Sequence, residues 1–309
     1  MNDKSAPPAK AANEPEGDKR APAAFTKTPM FQVANAARYQ RQSLIKEIEA
    51  ITHRKLVCYV AGIDAPIERD DSIGFVELLH NIQKGGDLDL LLHTPGGNLD
   101  AAEKLINQLH ATVGVGSLRV VVPDFAKSSG TLMALGASAI VMSDSSELGP
   151  IDPQVKLDDG RGNLINHSVL HYLDAYKTYS EALRRNPSDV TATIMLSKLD
   201  PATVELYQGV KDRAKNIAEE QLNRWMFQSK KGNYTKIAAD LLDINKYPSH
   251  GQMIDWQDAT QMELQVEYLP PDGPLWRNYW QLYCLQRYAI TDRGKLFESD
   301  CASYAVEGV

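Results

Sequence analysis

Apolar runs that look like buried strands alternate with amphipathic stretches along residues 56–142, and this alternation restricts the fold more than any other sequence feature. The apolar runs cover residues 56–60, 88–92, 118–122 and 139–142. Between them, apolar residues recur at the three- and four-residue spacing of one helix face. Buried strands that alternate with helices form a mostly parallel sheet covered by helices. The sequence therefore predicts an α/β fold.

Helical patterns dominate the sequence after Pro153, apart from a turn-rich stretch at 158–162 that predicts a hairpin or an exposed loop. Asp200 followed by Pro201 is typical of a helix start, and a long amphipathic stretch follows it. The aromatic-rich stretch at 275–288 also has helical spacing, and core packing explains it better than a contact with a partner. The predicted organisation is a disordered tail over 1–30, a domain over 31–269 with a helical insertion at about 165–245, and a helical extension over 270–309.

The tail prediction follows from the composition of the first thirty residues, where prolines lie among Ala, Lys and Glu without any apolar period. An organelle transit peptide is the alternative. Such peptides are poor in acidic residues, whereas this stretch contains Glu14, Glu16 and Asp18. Disorder is therefore the favoured interpretation.

Charge and composition exclude several classes of function. The 33 Lys and Arg against 40 Asp and Glu give a net charge of -7, which repels phosphate backbones, so nucleic acid is not an expected partner. Three scattered cysteines cannot form a disulfide framework, which favours a reducing compartment. No apolar run approaches the ~18 residues of a membrane span, and no signal peptide is recognisable. The expectation is a soluble cytoplasmic protein without a transmembrane segment.

A glycine pair follows the second apolar run, in residues 93–98 (HTPGGN), here called the glycine loop. Two glycines let the backbone approach a ligand closely, and free N–H groups at the next helix could bind an anion or a developing oxyanion. Pro-Gly-Gly is also an ordinary tight turn. The glycine loop by itself leaves both explanations open.

A second small-residue turn joins a strand to a helix at residues 124–131 (DFAKSSGT), here called the serine corner. A serine at such a corner lies at the positive end of a helix with its hydroxyl exposed, as in the nucleophile elbow of hydrolases. The motif is not GxSxG. The alternative is that Ser128 or Ser129 simply caps the helix.

The order of these motifs resembles that of the Clp-fold serine peptidases, which include the Clp proteolytic subunit and signal peptide peptidase A. The stretch from Ala126 to Gln154, which contains the sequence ELGPIDP, is most similar to the serine dehydrogenase proteinase family. The resemblance covers about 56–153 and resumes at 247–251. It implies a ClpP/crotonase-like spiral of βαβ units with a helical C-terminal portion, a peptide or protein substrate, and no cofactor.

The resemblance also implies roles for individual residues. In the family, the serine of the strand-to-helix corner is the nucleophile, and Ser129 matches that position. Gly96 and Gly97 match the loop that supplies one oxyanion N–H group. Gly130, which follows the matched serine, corresponds to the second donor. Such donors act where charge develops in the tetrahedral intermediate.

A serine hydroxyl needs a neighbour that accepts its proton, and the sequence offers several candidates for this general base. The segment that matches the histidine of the Clp subunit contains no histidine and offers Asp152 instead. Signal peptide peptidase A uses a lysine from a later segment, and Lys177 corresponds to it if burial lowers its pKa. His250, near the position of the Clp triad aspartate, and Lys127 are the alternatives.

The resemblance implies a serine peptidase that assembles as a homo-oligomer, with a trimer or hexamer most plausible. A non-catalytic oligomeric scaffold and a crotonase-type acyl-CoA enzyme are the alternative functions. A Rossmann dehydrogenase is not supported, because no GxGxxG follows a strand. His167 and His171 are spaced like half a zinc site on one helix face, but no HExxH pattern or third ligand accompanies them, so no metal is predicted.

Overall fold

The computed structural model describes residues 27–158, 162, 164–228 and 231–307. The chain divides into two compact units, 1–36 and 37–309. In the first unit, helix α1 (Pro29–Ala34) begins behind Thr28, whose side chain accepts a hydrogen bond from the Phe31 N–H. Residues 1–26 of the predicted tail lie outside the described residues.

Between residues 36 and 142, helices alternate with the strands of the main sheet, as the apolar pattern predicts. The helices are α2 (Ala36–Thr52), α3 (Asp71–Leu79), α4 (Leu99–Val113), α5 (Ser129–Leu135), α6 (Val169–Arg185), α7 (Val190–Leu196), α8 (Pro201–Gln221), α9 (Tyr234–Leu241), α10 (Trp256–Gln261) and α11 (Pro274–Tyr288), with a π-helical turn at Leu222–Met226. The strands are β1 (Lys55–Ala61), β2 (Leu88–His93), β3 (Leu118–Val121), β4 (Phe125–Ala126), β5 (Ala139–Met142), β6 (Glu147–Leu148), β7 (Gln154–Asp158), β8 (Leu164–Ser168), β9 (Val266–Tyr268), β10 (Lys295–Ser299) and β11 (Ser303–Val306).

Within the described residues, the main sheet has seven strands in the order β11-β10-β1-β2-β3-β5-β9. Strands β1, β2, β3, β5 and β9 run parallel, whereas β10 is antiparallel to both β1 and β11. A small parallel pair, β4 with β6, and a hairpin, β7 with β8, lie outside this sheet. The predicted α/β fold with a mostly parallel sheet is confirmed.

Strand β1 shows why the sequence contains continuous apolar runs rather than alternating ones. Val57 and Tyr59 belong to one buried cluster, and Cys58 and Val60 belong to another. Because successive side chains of a strand point to opposite faces, the sheet is buried on both sides. Helices α3, α4 and α5 contribute to the first cluster, and α2 and α11 contribute to the second.

The segment over 270–309, predicted as a helical extension, contains one helix and two strands in its described part, residues 270–307. Helix α11 matches the aromatic-rich stretch, and its central Tyr279 is fully buried. Strands β10 and β11 extend the main sheet, and every residue of β10 is buried. The charged residues Lys295 and Glu298 make β10 look exposed in the sequence. In the structure, Lys295 pairs with Asp71 at 2.8 Å and Glu298 pairs with Arg41 at 2.7 Å.

Helices α6 to α9 occupy the predicted helical insertion. Helix α8 begins behind Asp200, whose side chain accepts a hydrogen bond from the Thr203 N–H. The turn-rich stretch at 158–162 falls in the β7–β8 hairpin, with part of its turn outside the described residues. Among the helices that the structure describes, none combines the length and apolar character needed to cross a membrane.

Candidate active site

The glycine loop and the serine corner lie side by side at the carboxyl ends of the parallel strands. The Thr94 N–H donates to the Phe125 carbonyl at 3.0 Å, and the Lys127 N–H donates to the Thr94 carbonyl at 3.1 Å. Parallel sheets present their functional loops at this edge. The structure thus brings together the two motifs that the sequence singles out.

Both glycines of the loop have backbone conformations and neighbours that exclude a side chain. Gly96 has φ +92°, and a Cβ there would lie 2.8 Å from the Cβ of Ser128. Gly97 has φ +152°, and a Cβ there would lie 2.3 Å from the Ile67 nitrogen. Glycine is therefore required at 96 for the loop to lie against the serine corner, and at 97 for it to lie against Ile67.

The hydroxyl of Ser129 is engaged with the glycine loop. Its Oγ donates to the Gly97 carbonyl at 2.7 Å and accepts from the Gly97 N–H at 2.8 Å. The side chain is buried, with 2% of the residue exposed. In this geometry the hydroxyl of Ser129, the predicted nucleophile, holds the glycine loop in place through two hydrogen bonds.

Ser128, one residue earlier, has the strained backbone of the corner. Its φ is +53° and its ψ is -119°, in a region that residues other than glycine rarely adopt. Such strain costs about 1–3 kcal/mol and concentrates at active sites. Ser128 is half-buried, and within the described residues its hydroxyl makes no hydrogen bond. The sequence motif SSG does not reveal which serine takes the strained position.

Of the backbone N–H groups around the serine corner, some donate hydrogen bonds within the protein and one does not. The Gly130 N–H donates to the Lys127 carbonyl at 2.7 Å, and the Gly96 N–H donates to the Thr94 hydroxyl at 3.2 Å. The Gly97 N–H is bound to the Ser129 hydroxyl. The N–H of Ser129 itself, the first of α5, has no acceptor within the described part of the chain.

An Asp–His pair lies in the segments that pack against the serine corner. His250 Nδ1 is 3.9 Å from Asp152 Oδ2. His250 Nδ1 and Asp152 Oδ1 are both buried without a hydrogen-bond partner among the described residues. Gln154 donates to Asp152 Oδ2 at 2.6 Å. The pair brings together Asp152 and His250, two residues that the sequence analysis considers for the proton-accepting part of the site.

The electrostatics of the pair favour a neutral imidazole. Burial lowers the pKa of His250, and the charge of Lys127 lowers it further, while the charge of Asp152 opposes both effects. Burial raises the pKa of Asp152, and hydrogen bonding to Ser168 opposes that rise. A neutral imidazole at neutral pH can accept a proton.

The two candidate lysines lie in different surroundings. The Nζ of Lys127 is 2.8 Å from Glu147 Oε2 and donates to the Leu148 carbonyl at 3.1 Å. Lys177 lies on α6 and lines a surface cavity of about 490 Å³, together with residues of α8 and the segment after α9. Neither serine of the corner lines that cavity.

The spacing of His167 and His171 does not place them on one helix face, because His167 lies in β8 and His171 lies in the first turn of α6. His171 Nδ1 is 2.9 Å from the Ser168 hydroxyl. Among the described residues, no three His, Cys, Asp or Glu side chains are arranged to hold a metal ion.

The family model of the ClpP-like SDH-type serine proteinases matches residues 30–176, a segment that includes the glycine loop and the serine corner. That segment belongs to this family. The resemblance to the serine dehydrogenase proteinases is thereby confirmed. His250 lies outside the segment that matches the SDH-type proteinases.

Two uncharacterized proteins of Methanocaldococcus jannaschii are similar to part of this chain. One is 40% identical over 86 residues, or 28% of this chain and 29% of that protein. The other is 31% identical over 128 residues, or 38% of this chain and 42% of that protein. The matches therefore span less than half the length of either relative.

Two solved structures of the 1510-N membrane-bound stomatin-specific protease, both of substituted variants, are also similar. One matches with a TM-score of 0.40 and 16% identity, and covers 70% of this chain and 80% of that chain. The other, in complex with a substrate peptide, matches with a TM-score of 0.33 and 17% identity, and covers 75% of this chain and 98% of that chain.

Proposed function

We propose that the protein is a serine peptidase that cleaves peptide bonds through an acyl-enzyme formed at the serine corner. The observation that carries this proposal is the backbone of Ser128, which holds a half-buried hydroxyl on a strained strand-to-helix turn beside the glycine loop. The family of residues 30–176 supports the same class of activity.

The serine corner offers two candidate nucleophiles, and their geometry favours Ser128. The hydroxyl of Ser129, the nucleophile that the resemblance implies, is buried and makes two hydrogen bonds to Gly97. The Ser128 hydroxyl is half-buried and makes none among the described residues. We therefore assign the attack to Ser128, and the fixing of the glycine loop to Ser129. The expectation that Ser129 attacks stays a prediction that the experiment below tests.

As the base we propose His250, whose Nδ1 lies 3.9 Å from Asp152 Oδ2 in the segment that Lys127 contacts. The imidazole takes the proton from the Ser128 hydroxyl as Oγ bonds to the scissile carbonyl carbon, and returns it to the amine when the C–N bond breaks. Water then hydrolyses the ester, with His250 acting in the same way. Lys177, which lies beside another cavity, is the alternative base.

The oxyanion that forms in each step needs backbone donors. The N–H of Ser129 follows the proposed nucleophile and has no acceptor among the described residues. Gly96 and Gly97 supply the second donor once substrate displaces an existing hydrogen bond, and Gly130 supports the turn through its bond to Lys127. Loss of one such donor typically costs ~10² to 10³ in rate.

We also propose that the protein assembles as a homo-oligomer, a trimer or hexamer, acts on peptides or proteins, and resides in the cytoplasm. Apolar side chains exposed on α3 and α7, such as Ile73, Val76 and Ile194, support assembly because subunit contacts would bury them. The three cysteines are free, as in a reducing compartment. Light scattering that gives a single species at the chain mass of 34.2 kDa would contradict assembly.

The activity is tested by labelling the purified protein with a fluorophosphonate, which phosphonylates activated serines, and locating the adduct by mass spectrometry. We expect the adduct on Ser128, its loss in Ser128→Ala, and slow labelling in His250→Ala. Ser129→Ala should retain the adduct site, and Ser197→Ala, on an exposed helix end, is the matched control.

Other outcomes distinguish the alternatives. An adduct on Ser129 would establish the nucleophile that the resemblance implies. Loss of labelling in Lys177→Ala, with His250→Ala unaffected, would identify a Ser-Lys dyad. A folded, oligomeric protein that forms no adduct at any pH would support the non-catalytic scaffold, and acyl-CoA binding by such a protein would support the crotonase-type alternative.

A further inference from the structure

The side chain of Lys127 connects the serine corner with the segment that carries His250. Its Nζ is 2.8 Å from Glu147 Oε2 and donates to the Leu148 carbonyl at 3.1 Å. It also lies 3.3 Å from the Gln252 carbonyl and 3.4 Å from the Gly251 carbonyl. One ammonium group thus reaches two separate segments of the chain.

The path of this side chain is defined by the packing around it. A Cβ on Gly149 would lie 2.8 Å from Lys127 Cδ, so the absence of a side chain at Gly149 leaves space for the lysine. Beyond the lysine, the Leu148 N–H donates to the Ile254 carbonyl at 2.9 Å, and the reverse bond is 3.1 Å long. The Lys127 side chain is only 13% exposed. A buried lysine with an ion pair and several carbonyl acceptors links two chain segments and is not a solvated surface group. We call this link between the serine corner and residues 250–252 the tie.

We propose that Lys127 is a positioning residue that holds His250 beside Ser128 by tying the segment 250–252 to the residue preceding the nucleophile. This inference rests on the function proposed above. It assigns to Lys127 a role different from that of a general base, because its ammonium donates to carbonyl oxygens and pairs with a carboxylate.

The charge of Lys127 also affects the pKa of His250. The charged groups facing His250 are Asp152, which favours the imidazolium, and Lys127, which disfavours it. Glu147 acts through its ion pair with Lys127. Removing the lysine charge therefore raises the pKa of His250, and removing the glutamate charge lowers it.

The test measures the second-order rate constant of fluorophosphonate labelling between pH 5 and pH 9 in the full chain. Lys127→Met keeps the length of the side chain without its charge, and we expect about a 10²-fold loss of rate, the size typical of a misplaced catalytic group. The midpoint of the acid limb should shift to higher pH. Lys127→Arg should recover part of the rate, and Lys215→Met, on the solvent-accessible side of α8, should behave like the wild type.

Glu147→Gln provides an opposite change. It keeps the lysine and its carbonyl contacts, so we expect the acid limb to shift to lower pH. Circular dichroism of each variant verifies folding. A Lys127→Met protein that labels at the wild-type rate with the wild-type pH midpoint would overturn the proposal, as would shifts of the same sign in Lys127→Met and Glu147→Gln.

A second readout separates this proposal from the proposed function. Exchange of the histidine C2 hydrogen with deuterium, followed by mass spectrometry, measures the titration of His250 whether or not the protein reacts with the probe. If the wild type forms no adduct, the peptidase proposal fails, and a higher pKa of His250 in Lys127→Met still supports the tie. An unchanged pKa of His250 in that variant would reject the tie even in an active enzyme.

Discussion

The strained backbone of Ser128 affects both the stability of the protein and its proposed activity. Its φ of +53° suits glycine far better than serine. We expect Ser128→Gly to stabilise the fold by about 1 kcal/mol relative to Ser128→Ala, because only glycine relieves the strain. Both variants lack the hydroxyl, so the comparison isolates the backbone. Urea unfolding of the two proteins measures the difference, and equal midpoints would contradict the prediction.

The sequence predicts the motifs of the site but does not distinguish its two neighbouring serines. The two motifs, their adjacency and the presence of a serine at the corner were predictable, because strand ends and glycine patterns are local features. The choice between Ser128 and Ser129 depends on which backbone turns into the positive-φ region, and two identical neighbouring side chains do not encode that choice. The pairing of His250 with Asp152 depends on contacts between segments that are distant in sequence.

Among the elements, α4 and α5 are joined by a buried histidine. His110 Nε2 lies 2.8 Å from the Gly136 carbonyl at the end of α5, and its ring stacks on Trp225 with centroids 3.4 Å apart. Burial lowers the pKa of His110 to about 4, despite the hydrogen bond to Gly136, and the charge of Arg224 lowers it further. The imidazole is therefore neutral in the folded protein at neutral pH.

This depressed pKa makes the stability of the fold depend on acid. Because the histidine of the unfolded chain has its ordinary pKa of 6.5, the unfolded chain binds the proton more readily below that pH. We expect stability to be full above pH 6.5 and to fall by up to about 1.4 kcal/mol per pH unit from this group as the pH drops toward 4. Urea unfolding across this range should give a shallower slope for His110→Gln than for the wild type. The exposed His80→Gln is the control, and equal slopes in all three would refute the assignment.

Helix α11 stabilises the strand ends that lead into the site. The Tyr283 hydroxyl donates to Asp124 Oδ2 at 2.6 Å and lies 3.4 Å from His93 Nε2. We expect Tyr283→Phe to lower the free energy of unfolding by about 1–3 kcal/mol, because Asp124 loses a half-buried hydrogen-bond donor. Tyr288→Phe, on the same helix but 93% exposed, should change it little. Denaturant unfolding compares the two, and equal losses would show that α11 does not act through this bond.

The elements themselves were predictable to different degrees. Strands β1, β2, β3 and β5 follow from apolar runs, because burial on both faces of the sheet demands such runs. Strand β10 was missed since its charged residues are neutralised by partners elsewhere in the chain. An apolar run in the sequence predicts a buried strand, but a buried strand with charged residues is not recognisable when their partners lie far away in the sequence.

For the whole molecule, the order of the strands has a consequence for biosynthesis. Strand β10 pairs antiparallel with β1, so that Val57 lies opposite Ser299, which is far from it in the sequence. During synthesis, β10 therefore leaves the ribosome only after all the residues between the two strands have been made. Until then, one edge of β1 stays open to other chains.

The maturation of the proposed peptidase should accordingly be late. We expect a chain that ends at Arg293 to be degraded rapidly in limited proteolysis, and the full chain to resist, because the former lacks both β10 and the buried ion pairs of Lys295 and Glu298. Equal resistance of the two chains would show that the sheet is stable without its last strands. A late-closing sheet would delay assembly of the site until β10 has left the ribosome, and so would keep a growing chain from cutting its neighbours on the same messenger.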